Sequence, residues 1–384
     1  MRLVDPDGRF DATDSSVAAT ADAPDAAGTA PAIVPDATEA VTAPCDARIA
    51  ASGGSWGAGA DLRAPNQPAR GEEWAAPGAE KPPPPRHAAL VGATASGKSA
   101  LALAVARRDP TIELVSVDSM QVYRRMDIGT AKPTPAEQAE VPHHLVDLVE
   151  PWEDYTVADF QWAFRDVMAD IEARGHRALL VGGTGLHFRA LVDDLEIPGQ
   201  FPEARAAVEA EPDTAALHAR LSALDPVAAG RMEPTNRRRV VRALEVTVGS
   251  GRPFSSYGPG LEAYPPTPFR LVGVGLPDAV IDTRIARRYD EQMAAGFLDE
   301  CRRLLADPRG VSRTAGQALG YKELFAHVAG ELPLDEALDL AVRRTRRFAR
   351  RQRSWFARDP RITWLWAEAP DDVVGSLAEL LGVG

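Results

Sequence analysis

The chain has 384 residues, a formal net charge of −12 and only two cysteines, Cys45 and Cys301. That length supports a large core, and two isolated cysteines exclude a disulfide scaffold or a cysteine-based zinc module. No apolar run is long enough to span a bilayer, an N-terminus carrying Asp5, Asp7, Asp11 and Asp14 is unlike a secretory leader, and the acidity, taken as an average, argues against a nucleic-acid partner.

The average hides an asymmetry. Residues 1–85 hold 13 acids against 6 bases, 12 of the 32 prolines and only three aromatics, Phe10, Trp56 and Trp74. Such a composition buries too little apolar surface to offset the entropy of ordering. Residues 1–86 are therefore predicted to be a disordered, acidic, proline-rich extension with no part in chemistry.

Order is predicted to begin at His87. A buried strand over 87–91 runs into a glycine-rich turn over 92–99 and a helix over 99–108. A second strand, 114–117, ends at Asp118, and a helix follows over 157–174. A third strand, 178–181, ends in Gly182-Gly183, and a fourth covers 271–274. Short, continuously apolar strands alternating with helices specify a parallel sheet covered on both faces. From 198 to 260 helical patterns (202–210, 214–224 and 235–248) follow one another with no strand between them, and 278–306 and 333–358 read as long charged helices. The predicted architecture is α/β: a phosphate-loop sheet formed by 87–197 and 261–384, with a small all-helical insertion at 198–260.

Gly92-Ala93-Thr94-Ala95-Ser96-Gly97-Lys98-Ser99 fits the G-x-x-x-x-G-K-[ST] pattern, with a strand before it and a helix after it. Its backbone N–H groups and the helix N-terminus suit an oligophosphate, Lys98 adds a point charge, and the Ser99 hydroxyl suits Mg²⁺. The pattern specifies phosphate without specifying ATP. The second apolar strand end that would hold Mg²⁺ in a nucleotide hydrolase carries Gly182-Gly183 in place of an acid. Asp118 is open between a Mg²⁺ ligand and a base facing a substrate. His143 and His144 have no partners at metal-ligand spacing and read as structural or surface histidines.

Residues 343–361 hold nine arginines and one acid, with Phe348, Trp355 and Phe356 interleaved. Arginine with aromatics suits phosphate contact and base stacking, and a solvated helix face would ordinarily mix signs. Arg237-Arg238-Arg239 with Arg242 forms a second cluster.

Several blocks together resemble bacterial tRNA dimethylallyltransferases. They are the phosphate loop, Asp118-Ser119-Met120-Gln121-Val122-Tyr123, the segment Met126 to Pro133, Gly182-Gly183-Thr184-Gly185, Arg238 to Val246, Gln317 to Glu323 and Thr345 to Trp355, running in order from about 87 to 366. The resemblance implies transfer of a dimethylallyl group from dimethylallyl diphosphate to N6 of the adenine 3′ to the anticodon in tRNA. It implies that Gly92 to Ser99 hold the diphosphate, aided by Arg284, with Mg²⁺ as cofactor on Ser99 and a shared place for Asp118 on that metal left open. Asp118 becomes the base for the N6 proton, with Lys98 and Thr184 also in catalysis, and Gln121 and Thr184 hold an extruded adenine. tRNA contacts are expected at Asp118, Ser119, Met120, Gln121, Thr184, Arg205, Arg238, Arg239, Val240, Val241, Arg242, Gln317, Gly320, Tyr321, Lys322, Arg346, Arg350 and Arg351. A monomer in the cytoplasm, away from membranes, is the corresponding expectation. Departures from the family pattern are Ala93 and Ser99 in the loop, His187 where tyrosine is common, and Glu233-Pro234-Thr235-Asn236 before the arginine cluster. The competing readings are an adenylate isopentenyltransferase acting on free AMP, ADP or ATP, a phosphate-loop kinase of a small molecule, and a non-enzymatic RNA-binding protein.

Overall fold

In the computed structural model, residues 85–367 and 373–383 are described. All but the last two residues of the expected N-terminal extension lie outside them. Six strands form one sheet: β1 (His87–Gly92), β2 (Ile112–Val117), β3 (His143–His144), β4 (Arg177–Gly182), β5 (Phe269–Gly275) and β6 (Thr363–Trp366). Their order is β3-β2-β4-β1-β5-β6, and every pairing is parallel. The four apolar runs form the interior of this sheet, as the sequence specifies.

Because side chains alternate along a strand, each apolar run feeds two cores. Ala89, Val91, Val115, Val117 and Leu180 face one core, which also takes Phe160 and Phe164 of α3 (Val157–Ala173), Phe188 of α4 (Gly185–Val192), Ile281 and Ile285 of α9 (Asp278–Ala294) and Ala349 and Phe356 of α12 (Leu334–Phe356). Leu90, Leu114, Leu179, Val272 and Val274 face the other, against α1 (Lys98–Ala106) and α13 (Val374–Leu381). The edge strands β3 and β6 escape sequence reading. The first is two histidines, and in the second, Thr-Trp-Leu-Trp, the outer residues are exposed.

The expected long helix over 278–306 is two helices, α9 and α10 (Phe297–Leu305), separated at Gly296. Gly296 has φ +96°, a conformation that favours glycine, and it redirects the chain. Between α10 and α12 lies α11 (Tyr321–Val328), and α2 (Pro135–Glu140) precedes β3.

Between β4 and β5 the chain forms α5 (Pro202–Glu209), α6 (Thr214–Leu224), α7 (Pro226–Gly230) and α8 (Arg237–Ser250). They share an apolar cluster of their own, including Val208, Leu217, Leu221, Ala228, Val240, Val241 and Leu244. Asp213, Asp225 and Asn236 cap α6, α7 and α8 by accepting backbone N–H groups. The segments joining this body to the sheet meet at a polar hub. Arg189 pairs with Asp193 and donates to the carbonyls of Leu261 and Ala263. Arg361 donates to Asp193, Asp359 and the Pro265 carbonyl. The Tyr264 ring lies 4.5 Å from the Arg189 guanidinium and 5.5 Å from that of Arg361.

Candidate active site

Ligands of open parallel sheets bind outside the carboxyl ends of the strands. Here the loops after β1, β2 and β4 meet at that edge, because β4 lies between β1 and β2. The phosphate loop leaves β1 at Gly92 and enters α1 at Lys98. The amides of Gly97, Lys98 and Ser99 have no internal partner among the described residues. They make the helix N-terminus an anion-accepting end. Lys98 Nζ donates to the Ala93 carbonyl at 2.8 Å. Burial pulls the Lys98 ammonium down to about 8, opposed by the Asp118 carboxylate and reinforced by Arg288.

Asp118 follows the last residue of β2, and one of its oxygens accepts the Met120 N–H at 2.8 Å. This bond bends the chain through Ser119 and Met120 and leaves the second oxygen available. Gln121 is differently employed. Its Oε1 accepts from Ser116 Oγ at 2.7 Å, and its Nε2 donates to the carbonyls of Thr130 at 3.2 Å and Ala131 at 3.1 Å. In this structure Gln121 braces the loop after β2.

That loop is clamped from the far side by residues the sequence did not single out. Glu300 of α10 accepts the N–H groups of Asp127, Ile128 and Gly129 and the Tyr321 hydroxyl. Gln292 donates to the carbonyls of Ile128 and Gly129. Arg288 reaches the Gly129 carbonyl at 3.5 Å, and burial lowers its guanidinium while Asp118 acts to raise it. Arg288 therefore sits electrostatically beside both Lys98 and Asp118. Arg284, one turn earlier on α9, makes no hydrogen bond or ion pair among the described residues. The pattern R-x-x-x-R was the available signal, since residues four apart share a helix face.

Thr184 stands at the N-cap of α4 without using its side chain as a cap, and its hydroxyl makes no hydrogen bond among the described residues. His187, a turn further on, is held neutral, its imidazole pulled down to about 4 by burial, and packs edge-to-face on Phe160 at 5.2 Å.

Three expected tRNA contacts are corrected. Val240 and Val241 are buried in the core of the helical body. Tyr321 is fully buried, packed against Phe297 and bonded to Glu300. All three support surfaces that they do not reach. Gly320 begins α11, its N–H held by Glu323, and Lys322 donates to Gln317 at 3.2 Å. Arg205 and Arg242 converge on the buried carboxylate of Glu245, while Arg238 and Arg239 are exposed.

The single-sign reading of α12 also needs correction. Its arginines meet acids supplied by other elements. Arg346 and Arg350 pair with Asp282, Arg353 with Asp278, and Arg344 with Glu323. Arg351 lies over the Phe348 ring at 5.7 Å, and Arg347 is exposed. Asp278 and Asp282 stand on α9, more than sixty residues away in sequence, so a local charge count could not see them.

Among the described residues, no group of three or more His, Cys, Asp or Glu side chains is placed to hold a metal. The oxygens at this edge, the exposed Ser99 hydroxyl and the second Asp118 oxygen, are hard donors. They suit Mg²⁺, which commonly uses one or two protein oxygens and completes its shell with substrate phosphate and water.

What these features define is a phosphate-loop α/β protein whose loop faces a strand-end carboxylate and an arginine. Comparison with known proteins narrows that class. Residues 121–359 match the family described as IPP transferase, and residues 85–146 match isopentenyl transferase. The chain is 48% identical over 285 residues to the tRNA dimethylallyltransferase of a Nocardioides species, covering 73% of this chain and 91% of that one. It is 47% identical over 293 residues to the Streptomyces avermitilis tRNA dimethylallyltransferase, covering 76% and 93%. The tRNA isopentenylpyrophosphate transferase structure from Bacillus halodurans superposes with a TM-score of 0.56 at 35% identity, covering 78% of this chain and 97% of that one. A eukaryotic dimethylallyltransferase structure shares the fold, with a TM-score of 0.64 at 23% identity and 76% of each chain covered. This chain belongs to the IPP transferase family.

Proposed function

We propose that the protein transfers a dimethylallyl group from dimethylallyl diphosphate to the exocyclic N6 of the adenine 3′ to the anticodon in tRNA, releasing diphosphate, and that it acts as a monomer in the cytoplasm. The observation that carries this reading is the phosphate loop with Lys98 after β1 and the Asp118 carboxylate after β2 at one sheet edge, in a chain 47–48% identical to tRNA dimethylallyltransferases over about three quarters of its length.

The chemistry follows from what each group can do. As the carbon–oxygen bond to the diphosphate breaks, negative charge grows on the leaving oxygen. Lys98, the open amides at the start of α1 and the guanidiniums of Arg288 and Arg284 oppose that charge. An exocyclic amine is a weak nucleophile, and the free oxygen of Asp118 accepts its proton as the carbon–nitrogen bond forms. The Thr184 hydroxyl offers the base a hydrogen bond. Ser99 would hold Mg²⁺, with the second oxygen of Asp118 as a further candidate donor, and the ion would supply further charge neutralisation on the diphosphate. The target base must leave its stack to reach this edge. Arg238 and Arg239 on α8 and Arg347 on α12 suit tRNA phosphates, whose contacts dominate affinity and salt dependence.

Incubation with labelled dimethylallyl diphosphate and, separately, unmodified tRNA, an anticodon stem-loop and AMP tests the reading. Label on tRNA and stem-loop is expected. Label on AMP alone would assign the chain to free nucleotides, and ATP turnover without label transfer would make it a kinase.

A further inference from the structure

The pairing of β1 with β4 ends at Val91↔Gly182, and beyond it the two strands open into the phosphate loop and the Gly182–Gly185 turn. One side chain joins them again. Gln352, on α12 and only 7% exposed, accepts the Thr94 N–H on its Oε1 at 2.7 Å and donates from its Nε2 to the Gly183 carbonyl at 2.9 Å. The donor at Thr94 and the acceptor at Gly183 fix which way the amide points. The approach is close enough that a Cβ on Gly183 would run into Gln352 Nε2.

We infer that Gln352 is a positioning residue for the diphosphate, setting the spacing between the phosphate loop and the turn that carries Thr184. The inference rests on the reading that this loop takes a diphosphate. A primary amide carries a donor and an acceptor side by side whatever the pH, so Gln352 accepts from Thr94 and donates to Gly183 at the same time. Its bond to Thr94 withdraws that amide from the donors facing an anion and leaves the task to Gly97, Lys98 and Ser99, at the helix N-terminus. The clamp comes from the arginine helix, so α12 contributes to the small-substrate site as well as presenting charge.

The test uses the full chain with Gln352→Leu and Gln352→Met. Binding of dimethylallyl diphosphate is measured by calorimetry without tRNA, and KM is measured for each substrate. Losing both hydrogen bonds leaves a buried donor and acceptor unpaired, so Gln352→Leu is expected to weaken dimethylallyl diphosphate binding on the order of 10- to 100-fold. Gln352→Met keeps the length of the side chain without either hydrogen bond, and is expected to lose as much. It also preserves the test should the leucine variant fail to fold. The KM for tRNA is expected to stay within about twofold for both. Tight binding by Gln352→Met would mean that shape suffices and would overturn the inference. So would a tRNA KM that rises in step with that for dimethylallyl diphosphate. Absence of binding by the unaltered protein would remove the diphosphate reading together with this inference, whereas unaltered binding in both variants removes the inference alone.

Discussion

The two ends of the central strands treat charge in opposite ways. At the amino end of β2, Glu113 is buried and saturated. Arg174 grips it in a two-pronged pair, and His144 and His176 each add a hydrogen bond. Burial pushes its carboxyl up, but the bonds from Arg174, His144 and His176 outweigh this and hold it at about 2. At the carboxyl end, Lys98, Asp118 and Arg288 feel one another's charge yet make no ion pair among the described residues. Each is tethered only to backbone, through the Ala93 carbonyl, the Met120 N–H and the Gly129 carbonyl. Charge serving stability is partnered within the fold, whereas at the open end two cations face a single carboxylate, and the excess positive charge stays open to a ligand.

The largest effect is expected at the open end. Asp118→Ala should lower kcat by about 10²- to 10⁴-fold while tRNA affinity in a filter-binding assay moves by less than about twofold. An active variant would take the base role from Asp118 and dissolve the contrast. At the saturated end, Glu113→Gln should cost about 3 kcal/mol of stability in denaturant unfolding, with kcat unchanged at a temperature where both proteins are folded. The sign with pH follows from the direction of the shift. A carboxyl held lower in the folded state stabilises above its ordinary value of about 4.5, and that contribution fades as pH falls towards about 2. The unaltered protein should therefore lose more stability than Glu113→Gln across that interval.

A smaller effect concerns Lys98. With the free ammonium near 8, and with the diphosphate favouring its charged form, affinity for dimethylallyl diphosphate should hold below pH 8. Above it, affinity should fall up to about tenfold per pH unit, as calorimetry across pH 7 to 9.5 would show. A flat profile would place the substrate's charge elsewhere. The smallest effect is on the salt slope. Arg347→Ala should reduce the dependence of log K for tRNA on log salt by about one contact, whereas Arg350→Ala, already paired with Asp282, should change it less.

Much of this organisation is legible in the sequence, for reasons that also explain what is not. Four continuous apolar strands announce the sheet, and the phosphate loop and Asp118 are local motifs, complete within a few residues. β3 and β6 carry no such signal, and the break at Gly296 is one residue inside a periodic pattern. The groups that brace the site are invisible locally because each acts across the fold. Glu300 holds a loop more than 170 residues earlier, and Gln352 reaches Thr94 across 258 residues. The same distance misled the charge argument for α12, whose partners Asp278 and Asp282 belong to α9.

The hub of Arg189, Asp193, Tyr264 and Arg361 bears on how the chain assembles in time. β1 must find β5 across nearly half the chain, His87 pairing with Phe269, and closures of that length are slow. The helical body from α5 to α8 is built from contacts local in sequence and can form early. Once it has, residues 193 and 261–265 are held close together, and the hub fastens them. The intervening segment then counts as a short loop rather than a long one. Arg189→Ala should accordingly slow refolding more than it speeds unfolding, the signature of a contact made before the sheet is complete, whereas Arg361, reaching Asp193 across 168 residues, joins the hub later.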